Sequence, residues 1–170
     1  MIEDDDEKTR HDIAALATQL VDGLVTRKLS VAAAESCTGG WIAKCITDVA
    51  GSSGCFGYGI VSYSNHAKQS MLGVREQTLL EEGAVSEACV REMAEGVLKL
   101  GGADCAVAVS GIAGPGGGTQ DKPVGTVWIA WCDPVGNVIP RLFRFDGSRS
   151  GIRQAAIDEA YSAGLLGKNA

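Results

Sequence analysis

A short apolar run in the second half of the chain constrains the fold most. Residues 103–111 read "ADCAVAVSG", and from Cys105 to Val109 no polar side chain interrupts the run. A strand with one face in water would alternate apolar and polar residues, so this pattern is typical of a strand buried on both faces. Such a strand needs helices on both sides of its sheet. The run therefore predicts an α/β fold.

Helical and extended patterns alternate along the rest of the chain. Helical patterns mark segments 8–28, 39–50, 65–72, 75–83, 86–102 and 148–166. Short strands are predicted at 30–36 and 55–64, and a hairpin of two neighbouring strands is predicted around the turn "PVGN" at 134–137. Together these patterns predict a three-layer α/β/α sandwich around a mixed, mostly parallel sheet.

Length and composition favour one soluble domain. The chain has 170 residues, which suits one domain over residues 1–170, with the acidic opening 1–8 expected to fray. The formal net charge of −6 argues against a broad electrostatic contact with nucleic acid. The sequence shows neither a secretory signal nor an apolar run long enough to span a bilayer, so we expect a cytoplasmic protein without a membrane partner.

The cysteines do not form a metal or redox motif. Six cysteines stand singly in the sequence, at positions 37, 45, 55, 89, 105 and 132. No C-x-x-C pair occurs, and this spacing suits neither a zinc ribbon nor a redox dithiol. We therefore expect no metal site and cysteines that act as small apolar side chains.

The segment "AAAESCTGGWIAK" at 32–44 places potential nucleophiles at a strand-to-helix corner. Ser36 follows the predicted strand at the edge where α/β sheets open their ligand crevices. Gly39 and Gly40 allow close approach of a substrate to the backbone, and the helix start favours an anion or a developing oxyanion. The structural alternative is that Ser36 or Thr38 only caps the helix.

Lys68 is the best candidate for a general base. It lies in the first turn of the helix that "SNHAK" opens, where the helix dipole and partial burial both lower the pKa of an amine. Tyr63 precedes this turn and is placed to hydrogen-bond the site or stack on a planar ring. The structural alternatives are an exposed lysine and a half-buried strand tyrosine. Cys37 is a rival nucleophile, and it or Ser36 would need His66, but neither triad has a local signature.

A second glycine-rich loop follows the buried strand. "SGIAGPGGG" at 110–118 matches neither the Walker A motif nor the dinucleotide fingerprint. Its backbone N–H groups, including those of Gly111 and Gly114, are expected to form a pocket floor. Arg149 and Arg153 at the start of the last helix are candidates for holding a phosphate. A tight strand exit and a solvated helix face are the structural alternatives.

Four stretches together resemble a known family. They are "AESCTGGWIAK", "GIVSYSNHAKQSMLGV", "GAVSE" and "SGIAGPGGGTQDKPVGTVW". These stretches closely resemble the CinA C-terminal domain family, the stand-alone nicotinamide-nucleotide amidases, and the resemblance extends from Ala14 to Leu166. Longer family members carry an additional N-terminal domain, which we do not expect in a chain of this length.

The resemblance implies a reaction and roles for residues. It implies hydrolysis of nicotinamide mononucleotide to nicotinate mononucleotide and ammonia, a step of pyridine-nucleotide salvage, without a metal or another cofactor. The nucleophile of the family's E-S-C-T-G-G motif falls on Ser36, and the base of its Y-S-N-x-x-K motif falls on Lys68, with Tyr63 beside it. A site hydroxyl falls on Ser110 and an arginine on Arg149, and the backbone donors around Thr38–Gly40 are expected to hold the amide oxygen as it becomes an oxyanion. The resemblance also favours a homodimer.

Two other functions remain open at this stage. One is a regulatory module that binds the nucleotide without turning it over, which a degenerate site would produce. The other is an amidase whose nucleophile is Cys37.

Overall fold

A computed structural model describes the backbone of residues 3–162 and the side chains from residue 12 onward. The helices are α1 (Glu3–Arg27), α2 (Trp41–Thr47), α3 (Asn65–Leu72), α4 (Glu76–Glu81), α5 (Glu87–Gly101) and α6 (Arg149–Ser162). The strands are β1 (Val31–Glu35), β2 (Phe56–Val61), β3 (Cys105–Gly111), β4 (Thr126–Cys132) and β5 (Val138–Arg144), and one 3₁₀ turn covers Ser52–Gly54.

The strands form one mixed sheet in the order β2-β1-β3-β4-β5. Strand β1 pairs in parallel with β2 and β3, whereas β4 is antiparallel to both β3 and β5. Four of the five described strands therefore run in one direction, as predicted. The apolar run at 103–111 is the central strand β3, buried from Cys105 to Ser110, and the predicted hairpin is β4–β5.

Helices cover both faces of the sheet. Helices α1, α2 and α6 pack on the face that contains Val31, Val107 and Ile129. Helix α5, with residues of α3 and α4, packs on the face that contains Ala32 and Ala108. The alternation of side chains along each strand supplies apolar residues to both layers. The predicted three-layer sandwich is confirmed.

The connections create a crevice at the carboxyl ends of β1 and β3. Strand β1 leads through α2 to β2 at the edge, and β2 leads back past β1 through α3–α5 to β3. Neighbouring strands whose connections depart in opposite directions leave an opening above their carboxyl ends, where α/β proteins bind ligands. Ser36 and Ser110 lie beside this opening.

The chain ends differ from the sequence expectations or lie outside the structure. Helix α1 begins at Glu3 instead of Lys8, so its backbone includes most of the acidic opening. Fraying of residues 1–8 and the single-domain assignment for 1–170 stay predictions. Residues 1–2 and 163–170 lie outside the described range, and with them the end of the predicted last helix. Within that range, no helix combines the length and apolar character needed to cross a membrane.

Candidate active site

Glu35 holds the corner between β1 and α2 together. Its carboxylate is buried and accepts hydrogen bonds from the N–H groups of Gly40 (3.0 Å), Ile42 (3.0 Å) and Ala43 (2.8 Å). These are donors that a helix start leaves unpaired. The N-cap position is Gly40, and it provides no side-chain cap. The alternative in which Ser36 or Thr38 caps α2 is therefore wrong, and the Ser36 hydroxyl is available for another role.

Lys68 makes direct contact with Ser36. Its Nζ donates to Ser36 Oγ at 2.9 Å and to the Ser62 carbonyl oxygen at 2.7 Å. Ser64 caps α3 by accepting from the Ala67 N–H at 3.1 Å, which fixes the first turn from which Lys68 extends. The Lys68 side chain is 1% exposed. The structure thus contradicts the exposed-lysine alternative and brings together the two residues proposed as nucleophile and base.

The environment of Lys68 favours the neutral amine. Desolvation by burial is the main influence on Lys68 and lowers its pKa below the ordinary value; the thiols of Cys89 and Cys37 would oppose this only in their ionised form. An amine out of contact with water loses the hydration that stabilises its charged form. A neutral lysine carries a lone pair and is able to accept the proton of a serine hydroxyl.

The rival chemical groups are poorly placed. Cys37 packs among the apolar residues on the α1–α2–α6 face, and Lys68 Nζ contacts Ser36 Oγ instead. Desolvation by burial raises the pKa of the Cys37 thiol to about 11, so roughly one thiol in ten thousand is ionised at pH 7. His66 is exposed on α3, and Lys68 instead occupies the position of a base beside Ser36.

The glycine N–H groups of the corner are already bonded. Gly39 donates to the Ser36 carbonyl oxygen at 3.0 Å, and Gly40 donates to Glu35. By contrast, in the described structure no carbonyl or carboxylate oxygen accepts from the N–H groups of Cys37 and Thr38, and the Cys37 N–H is hydrogen-bonded to the thiol of its own side chain. Both glycines have positive φ, 62° and 93°, so their need for glycine lies in the turn itself. Of the donors expected around Thr38–Gly40, only the N–H of Thr38 is therefore left for an oxyanion, and the N–H of Cys37, one residue earlier, is the other candidate.

Arg149 bridges the two other predicted parts of the site. Its Nη1 donates to the Gly114 carbonyl oxygen at 2.6 Å, and its Nη2 donates to the Tyr63 hydroxyl at 2.9 Å. Tyr63 is 60% exposed at the mouth of the crevice, which differs from the half-buried alternative. Its guanidinium thus links the 110–118 loop to Tyr63, two parts of the site that the sequence predicted separately.

Arg153 contacts the turn that follows Ser36. Its Nη2 donates to the Thr38 carbonyl oxygen at 2.9 Å, and its guanidinium lies 5.3 Å from the centre of the Trp41 ring. The Thr38 side chain is buried, and its hydroxyl has no hydrogen-bond partner among the described residues. Of the two candidate arginines, Arg149 reaches the 110–118 loop and Arg153 braces the turn after Ser36.

The β3 end of the site is tightly packed. Ser110 Oγ donates to the Ala84 carbonyl oxygen at 2.7 Å, which joins β3 to the "GAVSE" segment. A Cβ at Gly111 would lie 2.7 Å from Val127 Cγ2, and one at Gly114 would lie 2.5 Å from Val124 Cγ1. Gly111 is thus required by the close packing of β3 on β4, and Gly114 by close packing against Val124.

Sequence reasoning missed two residues of the site. Glu35 directly precedes the nucleophile and Ser62 directly precedes Tyr63, and neither received a role. A signal for Glu35 was present, because an acidic residue just before a helix start is a common partner for its N–H groups. Ser62 acts through its backbone carbonyl, which any residue type provides, so no residue type could have indicated that contact.

The described residues hold no cluster of three or more His, Cys, Asp or Glu side chains suited to a metal ion. All six cysteines are buried, and none of them forms a disulfide. Clefts of about 600 and 570 Å³ lie between α1 and α2 and beside α5, and neither contains Ser36 or Lys68. The candidate site is therefore identified by the contact between Ser36 and Lys68, and not by the size of a cavity.

Comparison with known proteins agrees with the motifs. The model of the family described as "CinA C-terminal domain" matches residues 13–165. The chain belongs to this family. It is 53% identical over 148 residues to the Escherichia coli K12 protein named nicotinamide-nucleotide amidohydrolase PncC, which covers 87% of this chain and 90% of that one. A CinA-like protein from Akkermansia muciniphila is also 53% identical, over 90% of this chain but 37% of its own length.

Solved structures show the same fold. The competence/damage inducible protein CihA from Agrobacterium tumefaciens superposes with a TM-score of 0.86 at 46% identity, over 88% of this chain and 92% of that one. The competence damage-inducible protein A from Klebsiella pneumoniae gives a TM-score of 0.86 at 40% identity, over 89% and 93% of the two chains. The CinA C-terminal domain family expected from the motifs and the expected α/β/α architecture are both confirmed.

Proposed function

We propose that this protein is a nicotinamide-nucleotide amidase that hydrolyses nicotinamide mononucleotide to nicotinate mononucleotide and ammonia. Relatives of nearly equal length that carry the amidohydrolase name support the reaction class. The observation that carries the proposal is the 2.9 Å contact between two buried side chains, Lys68 Nζ and Ser36 Oγ. A buried neutral amine beside a serine hydroxyl is a nucleophile with its base.

The first half of the reaction forms an ester on the enzyme. The Ser36 hydroxyl passes its proton to the lone pair of Lys68 Nζ, and Oγ attacks the carboxamide carbon. The resulting tetrahedral intermediate collapses as the C–N bond breaks, and the Lys68 ammonium gives its proton to the departing nitrogen, which leaves as ammonia. Lys68 returns to its neutral form, ready for the second half.

The second half restores the free serine. A water molecule enters where ammonia left, gives a proton to Lys68 and attacks the ester carbon. The C–O bond to Ser36 then breaks, Lys68 returns the proton to Oγ, and the carboxylic acid product gives its remaining proton to water and departs as the carboxylate. Each half uses one base and needs no metal, redox partner or further reactant.

The surrounding residues supply binding and charge stabilisation. The N–H groups of Cys37 and Thr38 are the proposed donors to the oxyanion, and Gly39 and Gly40 form the wall of the turn that presents them. A buried donor aimed at a developing charge lowers the barrier without binding the ground state equally well.

Substrate positioning is assigned to the other side of the crevice. Arg149 binds the phosphate by exchanging one of its present hydrogen bonds for a charge-assisted one. Tyr63, thereby released, hydrogen-bonds or stacks on the pyridine ring. The loop with Gly111 and Gly114, and the hydroxyl of Ser110 behind it, fix the remaining wall. A cytoplasmic location, a homodimeric assembly and a role in pyridine-nucleotide salvage belong to the same proposal.

Ammonia release from nicotinamide mononucleotide tests the proposal. We expect activity in the wild type, loss of activity in Ser36→Ala and Lys68→Ala, and retention in Cys37→Ser. Activity that survives both of the first two substitutions would remove the dyad from the mechanism. A wild type that binds the nucleotide but releases no ammonia would favour the regulatory binding module instead.

A further inference from the structure

Ser62 has a buried hydroxyl that nothing in the described structure uses. Its backbone N–H donates to the Glu35 carbonyl oxygen at 2.8 Å, and its carbonyl oxygen accepts from Lys68 Nζ at 2.7 Å. The residue is 0% exposed, and its Oγ has no hydrogen-bond partner. A buried hydroxyl without a partner costs free energy and therefore calls for a functional explanation.

The alternation of β2 directs the Ser62 side chain toward the base. Ile60 packs with the cluster on the α5 side of the sheet, and Val61 lies against Gly40 on the opposite side. The hydrogen bond from Ser62 to Glu35 continues the strand pairing by one residue. The Ser62 side chain therefore returns to the α5 side, where Ser36 and Lys68 meet.

A protonated Lys68 needs one more acceptor than the resting site provides. During turnover the amine holds three N–H groups, and the Ser62 carbonyl oxygen and Ser36 Oγ accept two of them. The titratable groups acting on Lys68 are two thiols, Cys89 from α5 and Cys37 from the corner. Burial raises the pKa of each thiol to about 11. Both thiols are thus neutral at pH 7 and provide no counter-charge.

We propose that Ser62 is a positioning residue whose hydroxyl accepts the third N–H of Lys68 when that amine takes up the proton of Ser36. Its hydroxyl lies on the residue whose carbonyl oxygen already accepts from Nζ, and it has no other hydrogen-bond partner to give up. Hydrogen bonding to the charged form stabilises it. This inference rests on the proposed Ser36–Lys68 mechanism and adds to it the group that stabilises the transient ammonium.

The test compares Ser62→Ala with Ser62→Thr. In the alanine variant we expect kcat for ammonia release to fall about tenfold, with KM within about twofold of wild type, because the lost contact forms only after proton transfer. We also expect the acid limb of kcat/KM to move to lower pH by about one pH unit, since the ammonium loses an acceptor. We expect the threonine variant, which keeps the hydroxyl, to retain the wild-type kcat and the wild-type position of the acid limb.

Two controls separate this role from a structural one. Ser52→Ala removes another buried serine hydroxyl, at the far end of β2, and should leave kcat and the pH limb at their wild-type values. A Ser62 variant that merely admits water would move the acid limb to higher pH, toward the ordinary pKa of lysine. Should Ser62→Ala fold poorly, Ser62→Cys keeps the volume but offers a weak acceptor, and the same losses are expected.

The experiments distinguish a failure of the role of Ser62 from a failure of the Ser36–Lys68 mechanism. Wild-type kcat and an unmoved acid limb in Ser62→Ala, together with an inactive Lys68→Ala, would overturn the role of Ser62 and leave the dyad standing. An acid limb that moves to higher pH would also overturn it. An active Lys68→Ala would instead refute the proposed mechanism.

Discussion

Replacement of Glu35 by glutamine should destabilise the protein strongly although the side chain keeps its shape. Glu35 accepts three N–H groups at the start of α2, two on Oε2 and one on Oε1. Glutamine retains one carbonyl oxygen for Gly40 and Ile42, but it turns an NH₂ group toward the Ala43 N–H. Two donors then face each other in a buried place.

The hydrogen bonds give the magnitude of this effect. One buried N–H left without an acceptor costs about 1–3 kcal/mol. The two remaining bonds lose the charge on their acceptor, which costs about 1 kcal/mol each, partly offset because a buried carboxylate need no longer be desolvated. We therefore expect Glu35→Gln to lower the free energy of unfolding by about 2–4 kcal/mol, a large share of the 5–15 kcal/mol typical of domains.

Urea unfolding followed by circular dichroism measures the change. Glu95→Gln provides the matched control, because Glu95 is an exposed carboxylate on α5, and surface changes of this kind stay within about 0.5 kcal/mol. A Glu35→Gln protein as stable as the Glu95→Gln control would show that the carboxylate does not hold the corner, and the assigned geometry of Ser36 would lose its support.

Three further results are expected. In urea unfolding, the stability of Lys68→Met relative to wild type should fall as pH rises toward 10.5, the ordinary lysine pKa. The wild-type amine has a lowered pKa in the folded state, so between that lowered pKa and 10.5 the unfolded state binds more protons and wild-type stability rises with pH. A stability difference that does not change with pH would contradict this. Iodoacetamide should label Cys37 slowly at pH 8, as measured by peptide mapping, because a thiol with a pKa of about 11 is rarely ionised at that pH. Fast labelling would show that the pKa of this thiol is lower than about 11. Arg149→Ala should raise KM about tenfold or more for nicotinamide mononucleotide and little for its riboside. An equal rise in KM for both substrates would show that Arg149 does not contact the phosphate.

The sequence predicted most of the fold because local patterns determine the elements. The alternation of apolar residues, the glycines that end helices and the uninterrupted run at 103–111 correctly located the strands and most of the helices to within a few residues. The strand order β2-β1-β3-β4-β5 could not be derived in this way, because it depends on pairings between distant segments. Only the β4–β5 hairpin, which is local, was predicted as a pair.

The candidate site was predictable where it follows from the ends of strands and helices. Ser36 follows β1 and Lys68 lies in the first turn after β2, and both positions sit at the same edge of the sheet. The use of Glu35 as the cap of α2 depends on how its side chain folds back over the turn. The different contacts of Arg149 and Arg153 depend on the distance from α6 to two separate loops. Neither can be derived from spacing along the chain.

The central claim is that Ser36 carries an ester during turnover, and trapping that ester tests it most directly. Wild-type enzyme mixed with nicotinamide mononucleotide is quenched in acid within one turnover, digested and mapped by mass spectrometry. We predict an adduct with the mass of the nicotinate-mononucleotide acyl group on Ser36, absent from Ser36→Ala. The same adduct on Cys37, or ammonia release at full rate from Ser36→Ala, would contradict the account.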